Sequence, residues 1–204
     1  MKNIIKIKHI VVLAVCCTGL LFLASSCSDN KNKDSKEMAE KENIDRMAPN
    51  DETIVVVDNN NDMNFLMEAA EMQMEKINLG KLAQQKGNSS HVKELGKMME
   101  EDHTKSLNEL RALAQSKSIS IPNSLTDDNK DSYEKLNDKS GNDFGKTYSD
   151  MMVDQHEEAI DLFETASTKS EDPQIRTWAA EKLPTLRSHL QHAEACKEKC
   201  KNEK

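Results

Sequence analysis

Two short phrases in the chain place a histidine on the apolar face of a predicted helix. Met98 to His103 and Met151 to His156 share the pattern Met-Met-x-x-x-His. The i, i+4 spacing puts the second Met and the His on one face, and large apolar residues continue that face over the next two turns. We therefore expect His103 and His156 to point into a helical core, where an imidazole either binds a metal or makes a buried hydrogen bond.

Four long helices are predicted to position these histidines. Helical periodicity, capping residues and breakers place helix 1 at 62–86, helix 2 from Ser89 or Ser90, helix 3 over Phe144 to Ala166, and helix 4 from the Asp172-Pro173 cap toward Cys196. The connection from Ser116 to Ser140 is long enough to travel the length of a bundle, with a short helix near 131–137. The sequence therefore predicts an all-α fold, a ferritin-like four-helix bundle with a long crossover between helices 2 and 3.

Four polar residues fall at a similar depth in the predicted helices. Glu75, His103, His156 and His189 each lie roughly 13 to 16 residues inside a helix, about 20 to 24 Å from its start. Glu75 also lies on an apolar stripe, where a lone carboxylate is costly. Because bundle proteins build metal sites from carboxylates and imidazoles on facing helices, these four residues are our candidate metal ligands.

A second set of residues is predicted to support the candidate ligands. The set consists of Asp102, Asp154, Glu100, Met99 and Met152. Glu100 and His103 have the Glu-x-x-His spacing of di-iron carboxylate bundles, but the other two histidines have no acid at that position. One His-rich site for a single transition metal (iron, copper or zinc) is therefore favoured over a di-iron centre, and the Met sulfurs would suit copper in its softer state.

A structural role explains the same residues without a metal. The histidines would then pair with Glu75, Asp102 and Asp154 inside an ordinary core, and the protein would be a non-catalytic module that contacts an envelope protein partner. The sequence contains no Gly-rich phosphate loop and no serine-nucleophile elbow, so nucleotide-binding and hydrolase classes are not indicated. Metal binding and a structural role both stay open, and no catalytic residue is predicted.

Residues 1–26 have the pattern of a lipoprotein signal peptide. Three lysines precede the apolar run from Ile10 to Leu23, and small residues then lead to Cys27. This resembles the lipobox of bacterial lipoproteins, although Ala24 stands where Leu is more usual. We expect lipidation of Cys27, which would anchor the protein to a membrane of the bacterial cell envelope, facing the periplasm or at the outer membrane. Ordinary signal cleavage, which leaves a soluble periplasmic protein, is the alternative.

Charge and composition indicate which classes of partner are excluded and where the segments after the signal peptide begin and end. Removing residues 1–26 removes three lysines and no acids, so the formal net charge changes from -8 to -11. An acidic protein offers no basic stripe for phosphates, which argues against nucleic-acid binding. Residues 27–61 are predicted to be a flexible tether in which Ile54 to Val57 docks as an extended segment. The bundle follows at 62–196 and a charged tail at 197–204.

The sequence gives little evidence that two cysteines and two further histidines are functional. Cys196 and Cys200 are i, i+4 neighbours that could bind a soft metal or cross-link, but we interpret them as residues of a frayed helix end. His91 and His192 are predicted to be exposed.

Four blocks along the chain resemble one bacterial family. They are Phe65-Leu66-x-x-Ala69-Ala70, Met99-x-x-Asp102-His103, Tyr148-x-x-Met151-x-x-Asp154-x-His156 and Leu183-Pro184-x-Leu186-x-x-His189-Leu190. They are similar to hallmark blocks of the "domain of unknown function 4142" family. The resemblance covers about Asp62 to Ala195, and its last block is the most specific. It implies a ferritin-like bundle in an exported or lipid-anchored protein, with the three histidines and two aspartates of these blocks at characteristic positions. It implies no activity.

Overall fold

The described part of the chain is built from helices. The computed structural model describes residues 34–47 and 61–202, and all regular secondary structure within them is helical. The helices are α1 (Ser35–Met47), α2 (Asn61–Lys86), α3 (Ser90–Ser116), α4 (Asp127–Asn137), α5 (Gly141–Lys169) and α6 (Pro173–Asn202). Predicted helices 1 to 4 correspond to α2, α3, α5 and α6, so the all-α bundle is confirmed. None of the described helices has the length and apolar character needed to cross a membrane.

Short connections produce two helical hairpins. Residues 87–89 join α2 to α3 and residues 170–172 join α5 to α6, and these two pairs share the most extensive contacts. Helix α2 also packs against α5, and α3 packs against α6, whereas α3 and α5 meet at few points and lie diagonally. The crossover at 117–140, which contains α4, carries the chain from the first hairpin to the second.

Two apolar clusters fill the bundle, one toward each end. The lower core joins the first half of α2 and α6 to the second half of α3 and α5, and includes Phe65, Leu66, Leu110, Phe163, Ile175 and Trp178. The upper core joins the other halves, and includes Leu79, Val92, Phe144, Met152 and Ala193. Helices α3 and α5 both start in the upper core and end in the lower core, so they run parallel, as a crossover connection requires.

Two glycines allow α2 and α3 to approach closely. A Cβ atom on Gly80 would lie 2.6 Å from the carbonyl oxygen of Gly96, and a Cβ atom on Gly96 would lie 2.7 Å from the carbonyl oxygen of Gly80. Both distances are shorter than real atoms tolerate, so only glycine permits this backbone contact. The contact fixes the register of the first hairpin and with it the height of His103 beside α2.

A helix lies within the predicted tether, which corrects the expectation for part of residues 27–61. Helix α1 packs on the crossover, where Asn43 Nδ2 donates to the carbonyl oxygen of Ser120 at 2.8 Å and the Ser120 N–H donates to Asn43 Oδ1 at 2.7 Å. Helix α1 could not be recognised in the sequence, because this helix is polar on most faces and is held by side-chain hydrogen bonds rather than by an apolar stripe. The signal peptide, Cys27 and the run Ile54 to Val57 lie outside the described residues.

The last helix is longer than the sequence indicated. Helix α6 continues to Asn202, so most of the predicted tail at 197–204 is helical. Cys196 and Cys200 are only 3% and 1% exposed, which shows that the buried stripe of α6 extends past the predicted end of the bundle. Burial of these two residues against the upper core holds the last turns in helical form.

Candidate metal centre

Three histidines form one layer between the lower and upper cores. His103 on α3, His156 on α5 and His189 on α6 are buried, and their ring centroids lie between 5.1 and 5.5 Å apart. One ring nitrogen of each lies within 4.8 Å of the other two. The structure therefore brings together three of the four predicted ligands, and each comes from a different helix.

Hydrogen bonds at the outer nitrogens of two rings assign their tautomers. His103 Nδ1 lies 2.6 Å from Gln73 Oε1, and His156 Nδ1 lies 2.7 Å from the carbonyl oxygen of Met152. Both oxygens are acceptors, so Nδ1 carries the proton and donates in each ring. The Nε2 atoms of His103 and His156 face each other at 3.4 Å with no proton between them in the neutral rings. Their lone pairs repel each other unless a proton or a metal cation lies between them.

The third ring is oriented by an acid. His189 Nε2 lies 2.9 Å from Asp102 Oδ2 and donates its proton to that carboxylate. The other nitrogen, His189 Nδ1, is buried and has no hydrogen-bond partner among the described residues. A buried polar atom left unpaired costs about 1 to 3 kcal/mol. In each ring the outer nitrogen donates to a carboxylate or carbonyl, and the inner nitrogen carries a lone pair. Metal-binding histidines have the same arrangement.

Burial lowers the pKa of all three imidazoles. For His103 the effect of burial is increased by the other two histidines and by Lys76, and the pKa lies well below its usual value. Burial, Lys76 and His189 lower the pKa of His156 to about 3. The pKa of His189 is also lowered by burial, and its hydrogen bond to Asp102 offsets part of the effect. The three rings are therefore neutral at neutral pH, which is the form that binds metals.

Glu75 lies outside the three-histidine group, contrary to the sequence-based expectation. Its Oε1 accepts a hydrogen bond from Gln155 Nε2 at 2.8 Å, and its Oε2 lies 3.8 Å from Lys76 Nζ. Gln73, two residues earlier, contacts His103 instead. Two residues correspond to about 200° around a helix, so Gln73 and Glu75 point to different neighbours of α2. No carboxylate belongs to the group within the described part of the chain.

Of the five residues predicted to support the ligands, some contact the histidines and others do not. Asp102 contacts His189, as described above, whereas Asp154 is exposed to solvent. Glu100 accepts a hydrogen bond from a glutamine of α2 at 2.6 Å and does not belong to the histidine group. Met99 and Met152 are fully buried in the upper core. Of these five residues, only Asp102 and the backbone of Met152 form hydrogen bonds to the histidines.

A buried lysine beside the histidines was not anticipated from the sequence. Lys76 is 1% exposed and lies close enough to His103 and His156 to lower the pKa of both. Burial lowers its own pKa, while Glu75 and Glu158 act in the opposite direction. A lysine in an apolar stretch gives little signal in a sequence, because its long side chain usually reaches solvent. When protonated, Lys76 opposes the binding of a cation in the histidine layer.

A small cavity, partly open to solvent, reaches two of the histidines. It has a volume of about 100 Å³ and lies between α3 and α6, with Gln73, His103 and His189 among its lining residues. Glu109 and Lys182, which form an ion pair, also line it. This volume corresponds to about three water molecules at roughly 30 Å³ each. An ion or a small ligand fits the cavity.

Fold and site together define a class of protein: a ferritin-like four-helix bundle whose central layer holds three imidazoles rather than a set of carboxylates. A family model described as domain of unknown function (DUF4142) matches residues 49–196. The chain therefore belongs to this family, and the resemblance in the four sequence blocks is confirmed. No curated protein and no solved structure matches the chain.

Proposed function

We propose that this protein binds one transition-metal ion through His103 Nε2, His156 Nε2 and His189 Nδ1. One observation carries the proposal: three buried lone pairs on neutral imidazoles converge from three helices, and each ring is oriented by its outer nitrogen. Neutral imidazole is a good ligand for zinc, copper and iron. Asp102 does not bind the metal itself but supplies negative charge through its hydrogen bond to His189.

The donor set favours a single ion over a two-metal centre. A di-iron centre of the carboxylate type needs several acids to balance its charge, and the histidine group contains none within the described residues. Glu75, the one acid among the four predicted ligands, is paired with Gln155 and Lys76 instead. The cavity beside His103 and His189 offers room for a small ligand of the metal. We assign no catalytic residue.

A structural role is the second candidate, and the hydrogen bonds of the histidine layer favour it. Gln73 and His103 join α2 to α3, and Asp102 and His189 join α3 to α6. Such a polar layer fixes the relative heights of packed helices, because any slip would leave buried polar groups unpaired. In this role the bundle is a non-catalytic module that presents its surface to an envelope partner.

We also propose that the protein is held in the cell envelope by lipidation of Cys27. The lysines, the apolar run and the small residues that precede Cys27 support this placement. Because the mature chain is strongly acidic, acyl chains rather than charge would hold it at an anionic membrane. We expect the full chain in the membrane fraction of a bacterial host and the Cys27→Ser variant in the soluble fraction. Recovery of both in the same fraction would contradict lipid anchoring at this residue.

Metal binding is tested on the full chain, purified without chelators and loaded separately with Fe²⁺, Cu²⁺ or Zn²⁺. Elemental analysis should show that the double variant His103→Gln, His156→Gln loses one equivalent of metal relative to the wild type. Circular dichroism should show unchanged helix content. If the wild type binds none of the three metals, or if the double variant binds as much as the wild type, the proposal is wrong and the structural role remains.

A matched pair of variants tests the site at the level of affinity. Asp102→Asn and Asp154→Asn each remove one negative charge, but only Asp102 contacts a histidine of the group. We expect Asp102→Asn to weaken metal binding in a calorimetric titration by about tenfold or more, and Asp154→Asn to leave it unchanged. Lys76→Met should strengthen binding by about tenfold, because it removes a buried positive charge beside the ligands. Equal affinities for all three variants would contradict a metal in this layer.

A further inference from the structure

A second group of metal-binding side chains lies at the upper end of the bundle. His91 is in the first turn of α3, and Cys196 and Cys200 are in the last turns of α6. His91 Nε2 lies 3.4 Å from Cys200 Sγ, and one donor atom of each of the three residues lies within 4.8 Å of the other two. Both cysteines are buried thiols. The structure thus unites residues that the sequence indicated as exposed or frayed.

The geometry of the two hairpins explains why these residues meet. Helix α3 starts and α6 ends at the same end of the bundle, beside the upper core. The i, i+4 spacing of Cys196 and Cys200 puts both sulfurs on one face of α6, the face buried against that core. His91 enters from the neighbouring helix. Because three donors from two rigid helices are already close together, little ordering is needed for a metal to bind.

A glycine on α5 leaves space for the sulfur of Cys200. A Cβ atom on Gly145 of α5 would lie 3.2 Å from Cys200 Sγ and 3.2 Å from a methyl carbon of Val92. Either contact is tighter than ordinary van der Waals packing, so glycine keeps this space open for the Cys200 side chain.

A buried phenol provides a second, independent observation at this group. Tyr148 is 0% exposed, and its hydroxyl has no hydrogen-bond partner among the described residues. Burial raises the pKa of Tyr148, and the nearby Cys196 raises it further when its thiol is ionised. The phenol therefore stays protonated and has a proton to donate. A metal-bound thiolate at Cys196 would place a negatively charged acceptor beside this unsatisfied donor.

A cavity of about 260 Å³ gives the group access to solvent. His91 and Cys196 line it, together with Glu94 and His192. His192 precedes Cys196 by four residues on α6, so the positions 192, 196 and 200 form one stripe. Ser89 Oγ also lies 3.2 Å from His91 Nε2, and its hydroxyl is a rotatable group that does not block the ring.

We propose that His91, Cys196 and Cys200 bind a borderline-soft metal ion, Zn²⁺, in a tetrahedral site whose fourth position is filled from the cavity by His192 or water. Two thiolates and one imidazole are a known zinc ligand set, and two thiolate charges neutralise the ion. Binding displaces one proton from each thiol, so two protons are released for each Zn²⁺ bound. This site is separate from the three-histidine layer and does not depend on it.

The test uses the full chain with Cys16, Cys17 and Cys27 changed to Ser, so that Cys196 and Cys200 are the only thiols. Under reducing conditions Co²⁺, the spectroscopic probe, should give the sulfur-to-cobalt charge-transfer absorption that only thiolate ligands produce, with one absorbing ion for each protein chain. Binding of Co²⁺ or of Zn²⁺ to the metal-free protein should release two protons per ion, and Zn²⁺ should then displace bound Co²⁺ without further proton release. Cys196→Ser and Cys200→Ser should each abolish the absorption, and His91→Gln should weaken Co²⁺ binding about tenfold or more.

Control measurements separate this site from the histidine layer and from misfolding. The double variant His103→Gln, His156→Gln should keep the cobalt–sulfur absorption, whether or not the proposed function holds. Zn²⁺ should also slow the reaction of both thiols with a thiol reagent about tenfold or more in the reduced parent protein, a measurement that needs no further substitution. If no charge-transfer absorption forms, or if Zn²⁺ leaves the thiol reactivity unchanged, the site does not exist.

Discussion

Acidification of the metal-free protein from pH 7 to pH 4 should lower its free energy of unfolding by several kcal/mol. The cause is the burial of His103, His156 and His189 as neutral rings whose pKa values are lowered in the folded state. In the unfolded chain a histidine has a pKa of about 6.5 and takes up a proton below that pH. The folded protein does not, so protons favour unfolding. The stability is present above pH 6.5 and is lost as the pH falls toward the folded pKa.

The magnitude follows from the size of the shift. Each unit of pH below 6.5 costs about 1.4 kcal/mol for every histidine that stays neutral in the folded state. Because the pKa of His156 is about 3, this residue alone accounts for about 3 kcal/mol at pH 4. The lowered pKa values of His103 and His189 add to the loss. Glu71 acts in the opposite direction, since burial raises its pKa, but it is one group against three.

Urea denaturation at several pH values in the presence of a chelator measures this dependence. His156→Gln is the matched control, because its amide can still donate to the Met152 carbonyl oxygen but does not titrate. Its free energy of unfolding should depend less steeply on pH between 6.5 and 4 than that of the wild type. The pKa of Asp172 is lowered mainly by its hydrogen bond to Lys117, so its contribution lies below this window. Equal slopes for the two proteins would contradict a buried, neutral His156.

Replacement of Phe163 by Ala should cost about 3 to 5 kcal/mol of stability. Phe163 is 1% exposed, and its ring centroid lies 5.2 Å from that of Phe65 and 5.4 Å from that of Trp178. The substitution removes two aromatic contacts and leaves a cavity in the lower core that three helices surround. Because aromatic residues are only 3% of the chain, few other aromatic rings are present to fill it.

Chemical denaturation of Phe163→Ala and Phe163→Leu distinguishes a core contact from a general effect of substitution. Leucine fills much of the space, so its cost should be roughly half that of alanine or less. Phe163 lies two turns beyond His156 on α5, so the folded Ala variant should bind metal as the wild type does. A loss of stability below about 1 kcal/mol for Ala would contradict the aromatic packing of the lower core.

The starts of the first two long helices and the histidine layer could be predicted because both depend on local information. Capping residues, breakers and apolar periodicity placed the first two long helices within a residue of the observed starts at Asn61 and Ser90. Side chains that lie on apolar stripes at similar depth come to the same level of the bundle when the helices pack. This reasoning located His103, His156 and His189 correctly at one level.

The place of Glu75 could not be predicted in the same way. An apolar stripe indicates that a residue is buried, but α2 packs against both α3 and α5, and the stripe does not tell which of them a side chain contacts. Gln73 faces α3 and contacts His103, whereas Glu75 faces α5 and contacts Gln155. Only the arrangement of the helices decides between these directions.

The sequence by itself determined the class of fold, the four long helices and the depth of three histidines, because each depends on residues within a few turns of one another. The tertiary structure decided what depends on distant parts of the chain. Helix α1 is held by Ser120, and His91 meets Cys200 across more than 100 residues. Neither pairing leaves a periodic signal in the sequence, since polar contacts between distant segments depend on where the backbone places them rather than on local spacing.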